Sequence, residues 1–407
     1  MKEIKYVLCG CGGRGSSLTK NVVAQIEGVK IVGVCDAGWI DKAETLCKDL
    51  EEKNITGVKA YSDYVKMFDE LKPDCVFIAT SWEQHVEVAV CAMKKGIAVA
   101  LEVGGAYNEQ DCWELVKVQE ETKVPFMFME NCCFNKTELL VTNVVRNGLM
   151  GEVVYCHGAY GHDLRHEIAY GKQRRHYRLR NYISRNCENY PTHELGPIAK
   201  ILNINRGNRM VSLTSMASKS AGLHDYIKDK EDLLELKDTV FAQGDIVDTL
   251  IKCENGELIS LRLDTTLPRF YSREFTVRGT KGMYTEDNNS LLIEGDFEES
   301  WDLEKFHKEN DFNTDKYSDY MPKIWKEVTK EILDAGHGGM DYFEFVAFFD
   351  ALKNGTEMPI DVYDAAAWMC ITNLSEISIK NGGAPVEIPD FTNGAYKTRE
   401  AKDVIKF

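Results

Sequence analysis

The chain has 407 residues, 44% of them apolar and 28% charged, an ordinary soluble balance that excludes a disordered or fibrous protein and leaves length for two or three domains and a large core. With 65 acidic against 49 basic residues the net charge is −16, which argues against nucleic acid or an anionic membrane as a main partner. The 13 cysteines are odd in number and lack metal-ligand spacing, so they read as reduced, mostly buried thiols and no metal site is expected. No run is long enough to span a bilayer, and Met1-Lys2-Glu3 leads straight into a strand without a signal-peptide core, so a cytoplasmic location is expected.

The apolar strand Ile4–Cys9 runs into Gly10, Gly12 and Gly15 and then into a helical stripe of Leu18, Val22 and Ile26. This pattern reads as a dinucleotide-binding turn. The first glycine permits the tight turn, the second lets the backbone approach a pyrophosphate, and the third lets the helix sit close to the strand. Free N–H groups and the helix dipole then face the phosphates. A second strand over 30–35 ends on Asp36, 21 residues after Gly15, where the ribose-binding acid of an NAD site belongs. No arginine follows closely, which favours NAD over NADP.

Strands and helices go on alternating: helix 40–52, strand 58–61, helix 62–71, strand 74–80, helix 84–94, strand 97–102, helix 108–122 and strand 125–131. The strands are almost wholly apolar, as expected of a parallel sheet covered on both faces. A doubly wound Rossmann domain is therefore expected over 1–131, with 80–82, 102–103 and 130–131 at the strand ends that face the cofactor cleft.

From Asn135 the pattern changes. A capped helix runs to Arg146 and stops at Gly148 and Gly151, and strands are predicted over 153–160, 210–218, 239–245, 249–254, 258–263, 272–279 and 282–286. Asn255-Gly256 is a strong hairpin turn, and helices over 340–353 and 362–380 finish the chain. The second domain, 132–407, is expected to be α+β with a mostly antiparallel sheet, serving substrate binding and oligomerisation.

Tyr190-Pro191-Thr192-His193-Glu194-Leu195-Gly196-Pro197 is the most informative stretch of that domain. Pro191 biases Tyr190 to an extended conformation, Thr192 is a good N-cap, and Ile198, Ile201 and Leu202 continue a helix. Tyr190 and His193 then stand at a helix entrance, where a histidine serves as a general acid or base or caps its own helix. Upstream, Tyr160 precedes Arg165, Arg174, Arg175, Arg178, Arg180 and Arg185. One of these arginines suits sugar hydroxyls or a carboxylate, and the others read as solvated or paired. His337-Gly338-Gly339-Met340-Asp341 reads either as a pocket-lining loop or as a helix-entry turn.

These residues carry a resemblance. Trp82-Glu83-Gln84-His85, Glu102-Val103, Glu130-Asn131, Tyr190-Pro191-Thr192-His193 with Gly196-Pro197, Gly279-Thr280-Lys281-Gly282 and His337-Gly338-Gly339-Met340-Asp341 make the chain similar to the Gfo/Idh/MocA oxidoreductases. Within them it resembles the NAD-dependent glycosidases of glycoside hydrolase family 109, the α-N-acetylgalactosaminidases. The resemblance implies NAD contacts from Arg14, Asp36, Trp82, His85, Glu102, Val103 and Asn131, beside the glycines of the turn. It implies sugar contacts from Glu130, Tyr160, Arg178, Tyr190, His193 and Tyr271, and Thr192 and His337 complete the substrate-binding candidates. A homodimer or larger assembly is implied by the family as well.

Ordinary dehydrogenases of the wider family carry Glu-Lys-Pro after the fifth strand, and here Glu102-Val103-Gly104 stands instead. The missing lysine disfavours a simple dehydrogenase. Asn181 stands where the glycosidase branch is expected to carry a histidine, and the alanine that follows Glu-Val is shifted to Ala106. The chemistry this pattern supports is redox-neutral hydrolysis of a small glycoside. Bound NAD transiently oxidises C3, the ketone acidifies the C2 hydrogen, the C1 substituent is eliminated, water adds, and C3 is reduced again. Tyr160, Tyr190 and His193 are the candidates for the proton transfers. The alternatives are a sugar dehydrogenase that releases NADH and a non-catalytic NAD- and sugar-sensing regulator.

Overall fold

Alternating apolar strands and helices dominate the N-terminal part of the computed structural model, whose described residues are 3–297, 301–302, 304–306 and 314–407. The chain divides into two units. One comprises Met1–Phe134, Glu327–Ala366 and Asp403–Lys406, and the other Asn135–Lys326, Ala367–Lys402 and Phe407.

In the first unit, β1 (Ile4–Cys9), α1 (Gly13–Asn21), β2 (Val29–Cys35), α2 (Ile40–Glu52), β3 (Lys59–Tyr61), α3 (Tyr64–Leu71), β4 (Cys75–Ile78), α4 (His85–Lys94), β5 (Ala98–Glu102), α5 (Glu109–Thr122) and β6 (Phe126–Met129) follow in turn. The strands pair in parallel in the order β3-β2-β1-β4-β5-β6, so the winding reverses between β1 and β4. That reversal point is where such sheets open a ligand crevice. Asp63 and Asn108 cap α3 and α5 by accepting from first-turn N–H groups. Every residue of β4, β5 and β6 is buried, which explains why their sequences carry no polar alternation.

A second domain of 132–407, as read from the sequence, differs from these units, because residues 327–366 pack with the N-terminal sheet. In the helix Met340–Asn354, Phe345 stands edge-on to Phe77 at 5.1 Å between ring centroids, and Phe349 lies 6.4 Å from Tyr6. Beyond that helix, Phe128 N–H donates to the Ile360 carbonyl at 3.0 Å.

The second unit contains α6 (Lys136–Arg146), β7 (Val153–Gly161), α7 (Arg165–Ala169), α8 (Arg178–Ser184), α9 (Thr192–Ile201), β8 (Met210–Ala217), α10 (Gly222–Ile227), β9 (Ile246–Cys253), β10 (Leu258–Asp264), β11 (Thr276–Gly279), β12 (Gly282–Thr285), β13 (Ser290–Ile293) and β14 (Val386–Glu387). Its sheet runs β13-β12-β11-β7-β10-β9-β8-β14, with β7 and β10 parallel and the other pairs antiparallel. Gly256, at a φ of 105°, turns β9 into β10 as the Asn-Gly pair requires.

Three local expectations are corrected. Residues 239–245 form no strand, because their hydrogen bonds go elsewhere: Asp245 accepts from Ala221 N–H and Gly222 N–H at the start of α10, and Gln243 serves Cys187. Of 272–279 only Thr276–Gly279 pairs as a strand, since Glu274 adopts a left-handed φ of 49°. Thr192 opens α9 instead of capping it; Pro191 holds the cap position, and no side chain caps the helix.

Among the described residues no two cysteines form a disulfide, and all of the thirteen but Cys47 and Cys91 are buried. Among the described residues no helix is long and apolar enough to cross a membrane.

Candidate functional site

In the first unit the site begins at the glycine-rich turn. Gly10 has a φ of 99°, and a Cβ there would lie 2.3 Å from the Ala79 carbonyl oxygen, so only glycine fits between β1 and the end of β4. A Cβ on Gly15 would meet Gly10 O at 2.1 Å, which is the close helix-to-strand approach the spacing predicts. Gly12 differs: a Cβ there would meet nothing within 4 Å. It precedes α1, whose start no side chain caps. An open backbone edge at an uncapped helix N-terminus suits an anionic pyrophosphate. Asp36 follows β2, and its carboxylate accepts from Cys11 N–H and Trp39 N–H, both at 3.0 Å. Its oxygens are thereby oriented, with lone pairs left for the hydroxyls of a ribose. The residues present therefore fit NAD.

The strand ends supply the rest. Trp82, 4% exposed, lays its indole on Gly104, where a Cβ would fall 2.3 Å from Cδ1. His85 Nε2 lies 3.2 Å from the Thr80 carbonyl, and burial lowers the ring's pKa to about 4, so the imidazole is neutral. A carbonyl only accepts, so Nε2 carries the proton and Nδ1 is left as a buried acceptor with no hydrogen-bond partner among the described residues. That orphaned acceptor is a second point of fit to a polar cofactor. Val103 and Asn131, which follow Glu102 and Glu130 in the chain, are both buried.

Arg14, on the first turn of α1, donates Nε to Glu102 at 3.3 Å and both terminal nitrogens to Asp341 at 2.9 Å. His337, expected to bind substrate, is placed beside these cofactor candidates, with Nδ1 2.9 Å from Arg14 and 2.8 Å from Asp341. Glu130 also belongs to the first unit; it is fully buried, and its Oε1 accepts from Cys132 N–H at 3.0 Å.

In the second unit, β7, α8 and α9 bring Tyr160, Arg178, Tyr190 and His193 together. The approach of α9 to β7 depends on Gly158, where a Cβ would stand 2.7 Å from that of Glu194. The Tyr160 and Tyr190 rings lie 4.5 Å apart, and the His193 ring stands edge-on at 4.8 Å from Tyr190 and 5.7 Å from Tyr160. The Tyr190 hydroxyl is 3.4 Å from His193 Nε2. The Arg178 guanidinium sits 5.0 Å from the Tyr190 ring centroid and 5.9 Å from that of Tyr160, with Nε 2.8 Å from Glu167. Burial works against that charge, but the neighbouring phenols and Glu167 outweigh it, so Arg178 remains firmly cationic. Thr192, at the start of α9, is fully buried, and Asn181, also buried, donates to the Tyr177 carbonyl at 3.3 Å.

His162 was missed in the sequence. Its Nδ1 is 3.5 Å from the Tyr160 hydroxyl, and its ring stands edge-on to Tyr271 at 5.2 Å. Desolvation first, and then the charge of Arg178, lower its pKa. The available signal was strand alternation, which puts residues 160 and 162 on one side. Tyr271, half exposed, follows an anchored turn in which Arg269 pairs with Asp264 at 2.7 Å and Glu274 at 3.1 Å.

A family model described as Glycosyl hydrolase 109, C-terminal domain, matches residues 134–398, and one described as Oxidoreductase family, NAD-binding Rossmann fold, matches residues 4–129. An alpha-N-acetylgalactosaminidase of Tannerella forsythia is 38% identical over 98% of this chain and 88% of that protein. A glycosyl hydrolase family 109 protein of Parabacteroides distasonis is 37% identical over 98% and 89%. Among solved structures, myo-inositol 2-dehydrogenase from Lactobacillus plantarum shares the fold at a TM-score of 0.65 and 16% identity, covering 95% of this chain and all of that one. Scyllo-inositol dehydrogenase from Lactobacillus casei, solved with NAD(H) and scyllo-inositol, does so at 0.63 and 14%, covering 95% and 99%.

Proposed function

We propose that this chain, which belongs to glycosyl hydrolase family 109, is a redox-neutral glycosidase that keeps NAD as a resident cofactor and acts on α-N-acetylgalactosaminides. The observation that carries the reading is the packing of two phenols and an imidazole, Tyr160, Tyr190 and His193, around the fixed charge of Arg178. Hydrolysis by two opposed carboxylates does not describe that group. Proton transfer beside a sugar does.

Gly10, Gly12, Gly15 and Asp36 would hold the cofactor's phosphates and ribose, with Trp82, His85, Glu102, Val103, Arg14 and Asn131 lining its further course. When bound, NAD supplies reversible oxidation at C3 of the sugar, which acidifies the hydrogen on C2. The protein's own groups then move protons. The C3 hydroxyl and C2 each release one, and the departing oxygen at C1 takes one as its bond to carbon breaks. Water returns a hydroxyl to C1 and a proton to C2, and the C3 oxygen takes back the proton it first released as C3 is reduced again. Tyr190 and His193, 3.4 Å apart, can pass a proton between them. Arg178 holds negative charge that develops on either phenol oxygen, and Tyr271, Thr192 and Glu130 position the sugar.

The test is a nitrophenyl α-N-acetylgalactosaminide assay in deuterated water. Aglycone release with deuterium at C2 of the product and no net NADH is expected. Release without deuterium refutes elimination, and stoichiometric NADH without aglycone release makes the protein a dehydrogenase.

A further inference from the structure

The His337-to-Asp341 motif is not absorbed by the chemistry above, and its geometry gives it a different task. Asp341 is fully buried in the first turn of the helix Met340–Asn354. Its Oδ1 accepts from Arg14 Nη2 at 2.9 Å and from Asn131 Nδ2 at 2.7 Å. Its Oδ2 accepts from Arg14 Nη1 at 2.9 Å and lies 2.8 Å from His337 Nδ1. One carboxylate thus ties the turn after β1 to the residue after β6, although two other strands separate these in the sheet.

The approach is built into the backbone. Residues 336–339 all have positive φ, at 143°, 37°, 65° and 100°, and His337 is the non-glycine among them. A Cβ at Gly336 would fall 2.7 Å from Asp341 Oδ2, so the loop can fold onto the carboxylate only with glycine there. His337 Nδ1 stands between a group that only donates, Arg14, and one that only accepts, Asp341. It therefore has a partner whether protonated or bare. One turn further along, Glu344 is fully buried, and neither of its oxygens has a hydrogen-bond partner among the described residues. Burial first, then Glu102 and Asp341, hold its carboxyl well above the usual range, while the charge of Arg14 works in the opposite direction.

We propose that Asp341 is a positioning residue of the cofactor site, fixing Arg14 and Asn131 through one buried carboxylate before NAD arrives and so setting how tightly NAD is retained. The inference rests on the reading that this unit keeps NAD through turnover. A resident cofactor must not leave during the cycle, and groups ordered in advance lose less entropy on binding.

The test uses the full chain stripped of nucleotide, with NADH binding followed by fluorescence and thermal midpoints recorded in parallel. Asp341→Asn and Asp341→Ala are expected to weaken NADH binding at least roughly tenfold, and His337→Ala by a smaller factor, with Asp350→Asn, exposed on the same helix, as the control. Glycosidase turnover of Asp341→Asn should recover on adding excess NAD, which a merely structural defect would not allow. A folded Asp341→Asn that binds NADH within about twofold of wild type overturns the proposal. Should Asp341→Ala fail to fold, Asp341→Asn and His337→Ala decide the matter. NADH binding is read without any glycoside, so its outcome is separate from the choice of substrate. A wild-type protein that binds no NADH overturns both readings.

Discussion

Gly12→Ala and Gly10→Ala separate what the turn needs for folding from what it needs for its ligand. At Gly10 the new methyl would enter a backbone conformation with φ of 99° and press to 2.3 Å against the Ala79 carbonyl oxygen. The left-handed conformation alone costs about 1–2 kcal/mol for alanine, and a clash with backbone that cannot swing away brings the total to roughly 2–4 kcal/mol. For a unit of this size each kcal/mol lowers the midpoint by about 2–4 °C. At Gly12 the φ of −67° is open to any residue and the methyl meets nothing within 4 Å. The stability change should stay within about 0.5 kcal/mol. The methyl would nevertheless project from the edge where the pyrophosphate must approach the backbone. NADH affinity of Gly12→Ala should fall at least tenfold, roughly 1.4 kcal/mol. Thermal unfolding of the nucleotide-free variants and fluorescence titration with NADH measure both quantities. Wild-type affinity in Gly12→Ala, or an unchanged midpoint in Gly10→Ala, refutes the reasoning.

His162→Ala removes the ring 3.5 Å from the Tyr160 hydroxyl and leaves Tyr271 without its edge-on neighbour. Turnover should fall roughly tenfold or more with NADH binding unchanged, and an unaltered kcat/KM counts against a role in the site. Gly161→Ala puts a methyl 2.1 Å from Cζ of Arg269 and must push that guanidinium off its pairs with Asp264 and Glu274, loosening the turn that carries Tyr271, so KM for the glycoside should rise while NADH affinity holds; equal KM values refute that coupling. Glu188→Gln tests a buried acid that leads into the Tyr190 segment. Burial pushes its carboxyl up to about 8 against 4.5 for an ordinary glutamate. The unfolded chain gives up the proton first, so the wild type loses stability as pH rises from about 4.5 to about 8, by about 1.4 kcal/mol per unit, and levels off above. Glutamine abolishes the slope, so its stability advantage should be larger near pH 8 than near pH 5. A gap that does not change with pH refutes the assignment.

What the sequence made legible follows from the range of the interactions involved. The cofactor turn is local: glycine spacing, an apolar strand and Asp36 all fall within one βαβ unit, and each residue occupies the place the pattern predicts. The Tyr190-to-His193 segment is local as well, although Pro191 and not Thr192 holds the cap position. The strand expected at 239–245 failed because its backbone N–H groups donate to distant groups, the Tyr182 and Ile183 carbonyls of α8, the Asn186 side chain and the Lys219 carbonyl, which hydrophobic runs do not reveal. Arg14 and Asp341 are 327 positions apart, and nothing in either neighbourhood points to the other. His162 was within reach, since strand alternation from Tyr160 placed it on the same side.

The departure at 102–104 gains a physical cause from the same comparison of local and distant partners. A residue with a side chain at Gly104 would collide with the indole of Trp82, whose Cδ1 lies 2.3 Å from the position of a Cβ. Proline, which the dehydrogenase pattern carries there, is therefore incompatible with Trp82 where it stands. Val103 is 2% exposed, and a lysine confined there would have to bury its charge. Both changes from Glu-Lys-Pro suit a buried setting: bare backbone at Gly104 against the indole of Trp82, and an apolar side chain at the buried Val103. Within the cofactor unit that arrangement leaves no lysine at position 103 to take a hydroxyl proton. On the reading proposed above, the proton transfers are assigned to Tyr160, Tyr190 and His193, beside the fixed positive charge of Arg178.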